Sequence, residues 1–191
     1  MVERNPEHGK NFHHLETNRM VQIQSIRYQL VMHWHQLGTS AEKTKPMESY
    51  TNLKIFLVDD EPFHSALVAQ QLNNLGYKSI HTFLSGTDCL HHINENPDIV
   101  ILDYNMEGHS GFEVLTKIKR FDPNIFVVML SGQEDLETAV SCLKYGAFDY
   151  IVKNNDMGKK IDYVLQRIAV IRQELDKENQ PTWKKFIMTL I

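Results

Sequence analysis

Four charged side chains stand at the ends of short apolar runs and could together carry out one reaction. Asp59 and Asp60 follow the first of these runs. Asp103 follows a second run, and Lys153 ends a third. Short runs rich in Val and Ile are typical of strands covered on both faces of a sheet. Since the carboxyl ends of parallel strands lie at one edge, we expect these four side chains to meet there.

The chemistry of such a group follows from its charges. Three packed carboxylates repel one another, so a divalent cation should accompany them, and hard oxygen ligands suit Mg²⁺. A carboxylate can act as a nucleophile, and a lysine can neutralise charge on a transferred group. A metal, a carboxylate and a lysine are the parts needed to accept a phosphoryl group.

The elements that would position these residues alternate along the chain. The sequence predicts five strands separated by helices, and this alternation favours parallel βαβ units with right-handed crossovers. The fold class is therefore α/β, a doubly wound five-stranded parallel sheet with five helices. The strands are predicted at 53–58, 79–83, 98–102, 125–130 and 150–152, and the helices at 62–75, 86–95, 111–121, 134–145 and along a final apolar stripe that starts at Ile161.

Composition and charge narrow the classes of function. The chain has 191 residues and a net charge of −4, so it lacks the general basic character of a nucleic-acid binder. No apolar run approaches the ~20 residues of a membrane span. No secretory signal is expected, and the predicted location is the cytoplasm. We expect the two cysteines, Cys89 and Cys142, to be small buried apolar residues that stay reduced.

Three segments are expected from changes along the chain. Residues 1–50 form an N-terminal extension and linker, in which 20–37 could be an amphipathic helix. Residues 51–173 form the α/β domain. Residues 174–191 form a short tail that is charged and then apolar, and it could cap a surface, bind a partner or have no specific role.

The pattern resembles the receiver domain of two-component response regulators. The residues that carry this resemblance occur in order, each near a predicted strand end, and the similarity covers 53 to about 172. The stretch 131–153 looks like receivers that precede transcription-activating ATPase modules in longer relatives. The matching residues are the pair Asp59-Asp60, Asp103, Ser131, Tyr150 and Lys153.

The resemblance implies a flavodoxin-like form for the sheet. It also implies a role for each matching residue. Asp103 would accept the phosphoryl group, and Lys153 would pair with it. Asp60 and Asp103 would bind Mg²⁺ directly, and Asp59 would act through a metal-bound water. The backbone carbonyl of Asn105 would complete the metal site, with no other cofactor.

A two-residue switch is also implied. Ser131 would donate to a phosphoryl oxygen, and Tyr150 would then move inward. An ordinary half-buried strand tyrosine explains Tyr150 almost as well.

Three positions depart from the family pattern. Glu107 stands where the family often has proline, which changes the loop after Asp103 and adds charge. Asn154 follows Lys153 where the family usually has a cis proline, and a cis bond before a non-proline residue costs about 2.5–4 kcal/mol. We therefore expect a changed loop after the lysine. Serine at 131 replaces the commoner threonine and keeps the hydroxyl.

The function expected from this resemblance is signalling. A histidine kinase or a histidine phosphotransfer protein would donate the phosphoryl group, and the face 134–175 would contact a downstream protein or a second copy. No output domain, nucleic-acid binding, membrane contact or enzymatic activity beyond self-phosphorylation and dephosphorylation is expected within these residues. A phosphorelay carrier is an alternative.

Two enzyme-like or ligand-binding classes remain as competitors. An aspartyl-phosphate phosphatase of the haloacid dehalogenase type also uses a strand-end Asp and Mg²⁺. That family requires a second Asp two residues after the first, where this chain has Asn105. It also has no counterpart of the acidic pair that follows the first strand here. A nucleotide- or flavin-binding domain would need a glycine-rich turn after the first strand, where acidic residues would instead repel phosphate.

Overall fold

The computed structural model describes residues 51–108 and 110–178, with side chains through 175. The predicted helix at 20–37, the N-terminal extension and the apolar part of the tail lie outside the described residues. Of the described residues, those up to Val170 form one compact unit, and the turns of the last helix from 171 onward belong to a second unit.

The described residues contain five strands and five α-helices in alternation, as predicted. All strands of the sheet are parallel, in the order β2-β1-β3-β4-β5. This confirms the flavodoxin-like doubly wound sheet. The elements are β1 Lys54–Val58, α1 Pro62–Asn74, β2 Ser79–Phe83, α2 Gly86–His91, β3 Ile99–Asp103, α3 Gly111–Phe121, β4 Phe126–Ser131, α4 Leu136–Lys144, β5 Asp149–Val152 and α5 Met157–Glu178.

Two helices differ from their predicted extent. The helix predicted at 86–95 is divided, because α2 ends at His91 and a 3₁₀ turn, Ile93–Glu95, follows it. Asn96 then adopts a left-handed conformation with φ of 56°, which stops the helical path. The last helix begins at Met157, one turn before its predicted apolar stripe, and continues past the expected domain end at 173.

The central strands β1, β3 and β4 are buried on both faces of the sheet, which explains their unbroken apolar runs. Phe56 and Val58 of β1 point into a core formed with α2, α3 and α4. Their neighbours Ile55 and Leu57 point to the opposite face and are equally inaccessible. Because successive side chains of a strand alternate between faces, a strand covered on both sides must be apolar throughout.

The two cysteines belong to this packed interior. Cys89 and Cys142 are unpaired, fully buried members of the same core cluster. Within residues 51–108 and 110–178, no helix has both the length and the apolar character needed to cross a membrane.

Candidate functional site

The predicted site residues lie at the carboxyl edge of the sheet. In the register of β1 and β3, Val58 stands opposite Leu102. The acidic residues that follow these two positions, Asp59 and Asp103, are therefore neighbours in space. The two aspartates lie close together because Asp59 directly follows β1 and Asp103 is the last residue of the neighbouring strand β3.

Three carboxylates form the centre of the site. One oxygen atom from each of Asp59, Asp60 and Asp103 lies within 4.8 Å of the others. Asp59 is fully buried and Asp103 is 3% exposed, whereas Asp60 is partly exposed. Negative charges this close and this dry repel strongly, so the group favours a bound cation.

Lys153 supplies one cation from the end of β5. Its Nζ donates a hydrogen bond to Asp59 Oδ2 at 2.8 Å. The same nitrogen lies 3.0 Å from Asp103 Oδ1, forming an ion pair, but that oxygen accepts no well-aligned hydrogen bond. The predicted pairing of Lys153 with Asp103 is therefore present, and the stronger hydrogen bond goes to Asp59.

Burial and charge shift two pKa values here. Burial raises the pKa of Asp103 above its ordinary value, although Lys153 partly opposes the shift. Burial alone would lower the pKa of Lys153, but its hydrogen bond to Asp59 and its close ion pair with Asp103 outweigh that effect and raise the pKa. The lysine therefore stays charged, while the carboxylate of Asp103 is held in a costly environment.

The two aspartates of the acidic pair, Asp59 and Asp60, have different hydrogen-bond partners. Asp59 Oδ1 accepts from the backbone N–H of Glu61 at 3.0 Å, so both Asp59 oxygens are engaged. Asp60 Oδ2 accepts from the backbone N–H of Glu107 at 2.8 Å. No group in the described part of the chain bonds Asp60 Oδ1. Asp60 therefore has an oxygen free for a ligand, and Asp59 does not.

The loop after Asp103 is closed tightly. Gly111 N–H donates to the carbonyl of Tyr104 at 2.8 Å. A Cβ at residue 111 would lie 2.1 Å from the carbonyl oxygen of Asp103, so only glycine fits there. Gly108 turns the chain with φ of 83°. Asn105 lies in this loop with its side chain exposed.

The loop after Lys153 has a trans peptide bond before Asn154, in line with the changed loop expected there. No peptide bond in the described residues is cis, and the amine of Lys153 still reaches both aspartates. Asn154 helps to start α5, because its Oδ1 accepts from the N–H of Asp156 at 3.1 Å and its carbonyl accepts from the N–H of Met157 at 2.9 Å. An asparagine that forms the turn just before α5 thus occupies the position where the family usually has proline.

Ser131 and Tyr150 lie beside the carboxylates and share a backbone partner. Ser131 is fully buried at the end of β4, and its Oγ accepts from Gln133 N–H at 3.1 Å. The Tyr150 hydroxyl donates to the Gln133 carbonyl at 3.3 Å. The Tyr150 ring packs against the core cluster. Burial raises the Tyr150 pKa, and the nearby Ser131 side chain partly opposes the shift.

Three contributors to the site were not predicted from the sequence. They are the backbone groups of Glu61, Glu107 and Gln133, which hold Asp59, Asp60 and the Ser131–Tyr150 pair. Only Glu107 carried a signal, since it replaces a common proline. Backbone donors are invisible in residue types, because every non-proline residue has one.

Comparison with known proteins identifies relatives of this arrangement. The family model for the response regulator receiver domain matches residues 55–164. The nitrogen assimilation regulatory protein NtrX of Azorhizobium caulinodans is 36% identical over 135 residues, which cover 66% of this chain and 30% of NtrX. The DNA-binding transcriptional regulator NtrC of Klebsiella pneumoniae is 30% identical over 127 residues, covering 66% of this chain and 27% of NtrC. The chain spans less than a third of the length of these relatives.

Solved structures show the same fold. A receiver domain protein from Clostridium thermocellum superposes with a TM-score of 0.60 at 29% identity, covering 64% of this chain and 98% of that protein. A chain of the CheX-CheY-BeF3-Mg+2 complex from Borrelia burgdorferi gives a TM-score of 0.56 at 30% identity, covering 60% of this chain and 87% of the other.

Proposed function

The chain belongs to the response regulator receiver domain family, and we propose that Asp103 is the residue through which it accepts a phosphoryl group. The observation that carries this proposal is the environment of Asp103 Oδ1. That oxygen is buried, lies 3.0 Å from Lys153 Nζ and accepts no well-aligned hydrogen bond. It therefore has a lone pair available for attack on phosphorus, beside an ammonium that can neutralise charge on the transferred phosphoryl group.

The donor is a phosphohistidine of a histidine kinase or a phosphotransfer protein. Asp103 attacks the phosphorus, the new O–P bond forms and the N–P bond to imidazole breaks. The electron pair of the broken bond stays on the imidazole nitrogen. Lys153 keeps its proton, because its pKa is raised, and its ammonium stabilises the charge on the phosphoryl oxygens. Asp59 holds Lys153 in position through the 2.8 Å bond.

The carboxylates fit a magnesium ion. Three carboxylates against one ammonium leave an excess of negative charge, and Asp60 Oδ1 is free to bind a cation. We propose Asp60, Asp103 and the Asn105 carbonyl as direct ligands. Asp59 acts through water, since both of its oxygens are engaged. Bound Mg²⁺ would neutralise the phosphoryl oxygens. The similar CheX-CheY complex from Borrelia burgdorferi contains BeF3 and Mg²⁺, which supports this assignment.

A conformational change at Ser131 and Tyr150 transmits the effect of phosphorylation away from Asp103. A phosphoryl group on Asp103 offers the Ser131 hydroxyl a charged acceptor, which makes a stronger hydrogen bond than a neutral one. Because Gln133 binds both residues, a shift of Ser131 moves the carbonyl that holds Tyr150. The response is a change in population between two packings.

The surface that reads this change lies on α4. Leu136, Val140 and Leu143 recur at helical spacing and are 77%, 55% and 46% exposed. We propose that a downstream protein or a second copy of the chain covers this stripe, within the face 134–175. A phosphorelay carrier would transfer the phosphoryl group without this readout.

NtrX and NtrC are both longer than this chain, and NtrC is a DNA-binding transcriptional regulator. We propose that 51–173 is the receiver unit, located in the cytoplasm, and that 1–50 and 174–191 flank it. The domain acts as a phosphoryl acceptor and not as an enzyme that turns over an external substrate.

Intact mass spectrometry after incubation with acetyl phosphate and Mg²⁺ tests the proposal. The full chain should gain one phosphoryl group, and Asp103→Asn should gain none. Asp60→Asn should require much more Mg²⁺ for the same extent of modification. A mass gain that persists in Asp103→Asn would refute the assignment of the acceptor. Continued hydrolysis of excess acetyl phosphate, with no stoichiometric adduct, would favour an aspartyl-phosphate phosphatase.

A further inference from the structure

One contact of the site comes from Glu107, a position at which this chain departs from the common family pattern. The backbone N–H of Glu107 donates to Asp60 Oδ2 at 2.8 Å, across 47 positions of sequence. It joins the loop after β3 to the start of α1. The Glu107 residue itself is exposed, so the contribution comes from its amide and not from packing of its side chain.

The amide is present only because residue 107 is not proline. Proline has no backbone N–H, and the family often carries proline at this position. A chain with proline there could not donate this hydrogen bond to the second aspartate of the acidic pair. The exchange of proline for glutamate therefore adds a donor to the site as well as a charge near it.

The bond has a direct consequence for the orientation of Asp60. An aspartate carboxylate rotates readily about its terminal torsion unless a partner fixes it. The Glu107 amide binds Oδ2, and no described residue binds Oδ1. The carboxylate is thus held with one oxygen satisfied and the other available. Hydrogen bonds to the non-ligating atom of a metal ligand are a general way to orient that ligand.

We propose that the Glu107 backbone amide is a positioning group for the cation site, orienting Asp60 so that Oδ1 binds Mg²⁺ while Oδ2 stays bonded to the loop. This inference rests on the proposed function, in which Asp60 ligates the metal. It assigns to the loop after β3 a second role besides supplying the Asn105 carbonyl. The same bond keeps that loop close to the start of α1 when the metal is bound.

Two variants separate the amide from the side chain. Glu107→Pro removes the N–H, and Glu107→Gln keeps it while removing the charge. Loss of an orienting partner typically lowers metal affinity about 10- to 100-fold, so Glu107→Pro should bind Mg²⁺ about that much more weakly. Glu107→Gln should lose much less. At saturating Mg²⁺, all three proteins should reach a similar maximal rate of phosphorylation by acetyl phosphate, because the amide orients a ligand and does not touch the phosphoryl group.

A spectroscopic measurement on the full chain tests the bond itself. In the amide NMR spectrum, the Glu107 peak should lie downfield and resist hydrogen exchange although the residue is exposed. Asp60→Ala should shift the peak upfield and abolish the protection. Addition of Mg²⁺ to the wild-type chain should leave the protection in place.

Each result bears on one of the two proposals. Equal Mg²⁺ affinity in wild type and Glu107→Pro, or an unprotected Glu107 amide in the wild type, would overturn the positioning role. Loss of the protection on Mg²⁺ binding would also overturn it. If the wild-type chain bound no Mg²⁺ while the Glu107 amide still responded to Asp60→Ala, the cation site would fail and the bond would stand.

Discussion

Two neighbouring corners of the sheet edge are built from different interactions. The acidic corner, Asp59, Asp60, Asp103 and Lys153, is held by charge, with three carboxylates around one ammonium. The switch corner, Ser131, Gln133 and Tyr150, is held by neutral hydrogen bonds of 3.1 and 3.3 Å. The two are joined directly, since Lys153 N–H donates to the Ser131 carbonyl at 2.7 Å.

Because of this difference, the residues that bind and react are separate from the residues that respond to the reaction. Charges in a dry site interact strongly, so a proton, a metal ion or a phosphoryl group changes the energy of the acidic corner substantially. A neutral hydrogen bond contributes only about 1 kcal/mol net, so the switch corner can rearrange at small cost. One corner therefore binds and reacts, and the other responds.

The largest expected effect comes from removing the single cation of the acidic corner. In Lys153→Met, two buried carboxylates lose their partner, and breaking a buried pair in this way costs about 3–5 kcal/mol. Urea unfolding without Mg²⁺ should show a loss of this size. Mg²⁺ should restore part of it, because a bound cation replaces the missing charge and stabilises the native state.

The matched control for that variant is Lys144→Met, which removes an exposed lysine of α4. Its stability should stay within about 0.5 kcal/mol of wild type, as for most surface substitutions. A loss in Lys153→Met no larger than in this control would contradict the charge-based description of the acidic corner.

A second test uses the raised pKa of Asp103. The folded pKa lies above the unfolded value of 3.8, so the ionised side chain costs stability once the pH exceeds the folded pKa. Below 3.8 that cost is absent. Without Mg²⁺, Asp103→Asn should therefore be more stable than wild type at neutral pH.

The advantage of Asp103→Asn should shrink as the pH falls toward 3.8. Thermal unfolding of both proteins across this range measures the difference. The exposed Glu134→Gln is the control, and its difference from wild type should vary much less with pH. An Asp103→Asn advantage that grew on acidification would reverse the sign expected from burial.

The switch corner should be much less sensitive. Tyr150→Phe removes the hydroxyl that donates to Gln133 and keeps the ring in the core, so it should cost about 1 kcal/mol or less. Tyr145→Phe, at a 54% exposed position, should cost less again. Urea unfolding gives both values. If Tyr150→Phe cost as much as Lys153→Met, the two corners would not differ as described.

The smallest effect is expected at the cysteines. Burial raises the pKa of Cys89 to about 12 and also raises the pKa of Cys142. Neither thiol should react with a disulfide reagent such as Ellman's at pH 8 in the native chain, because the reactive thiolate is scarce and inaccessible. Unfolded protein should titrate two thiols, in agreement with the sequence. Rapid native labelling of Cys142 would show that α4 opens readily.

Much of this architecture could be predicted from the sequence. A strand buried on both faces must be apolar throughout, so β1, β3 and β4 were recognisable, and each gave way to a polar residue where the strand ended. Parallel topology then required Asp59, Asp103 and Lys153 to meet at one edge. The family resemblance supplied their roles.

The amino-acid sequence by itself thus determined the sheet, the edge at which charges gather and the excess of negative charge there. Only the tertiary structure decided the pairings: Lys153 bonds Asp59 more closely than Asp103, and the backbone N–H groups of Glu107 and Gln133 hold Asp60 and Ser131. The physical reason is that apolar periodicity is a property of side-chain types. A backbone donor is common to nearly all residues, and loop geometry alone decides which one reaches an acceptor.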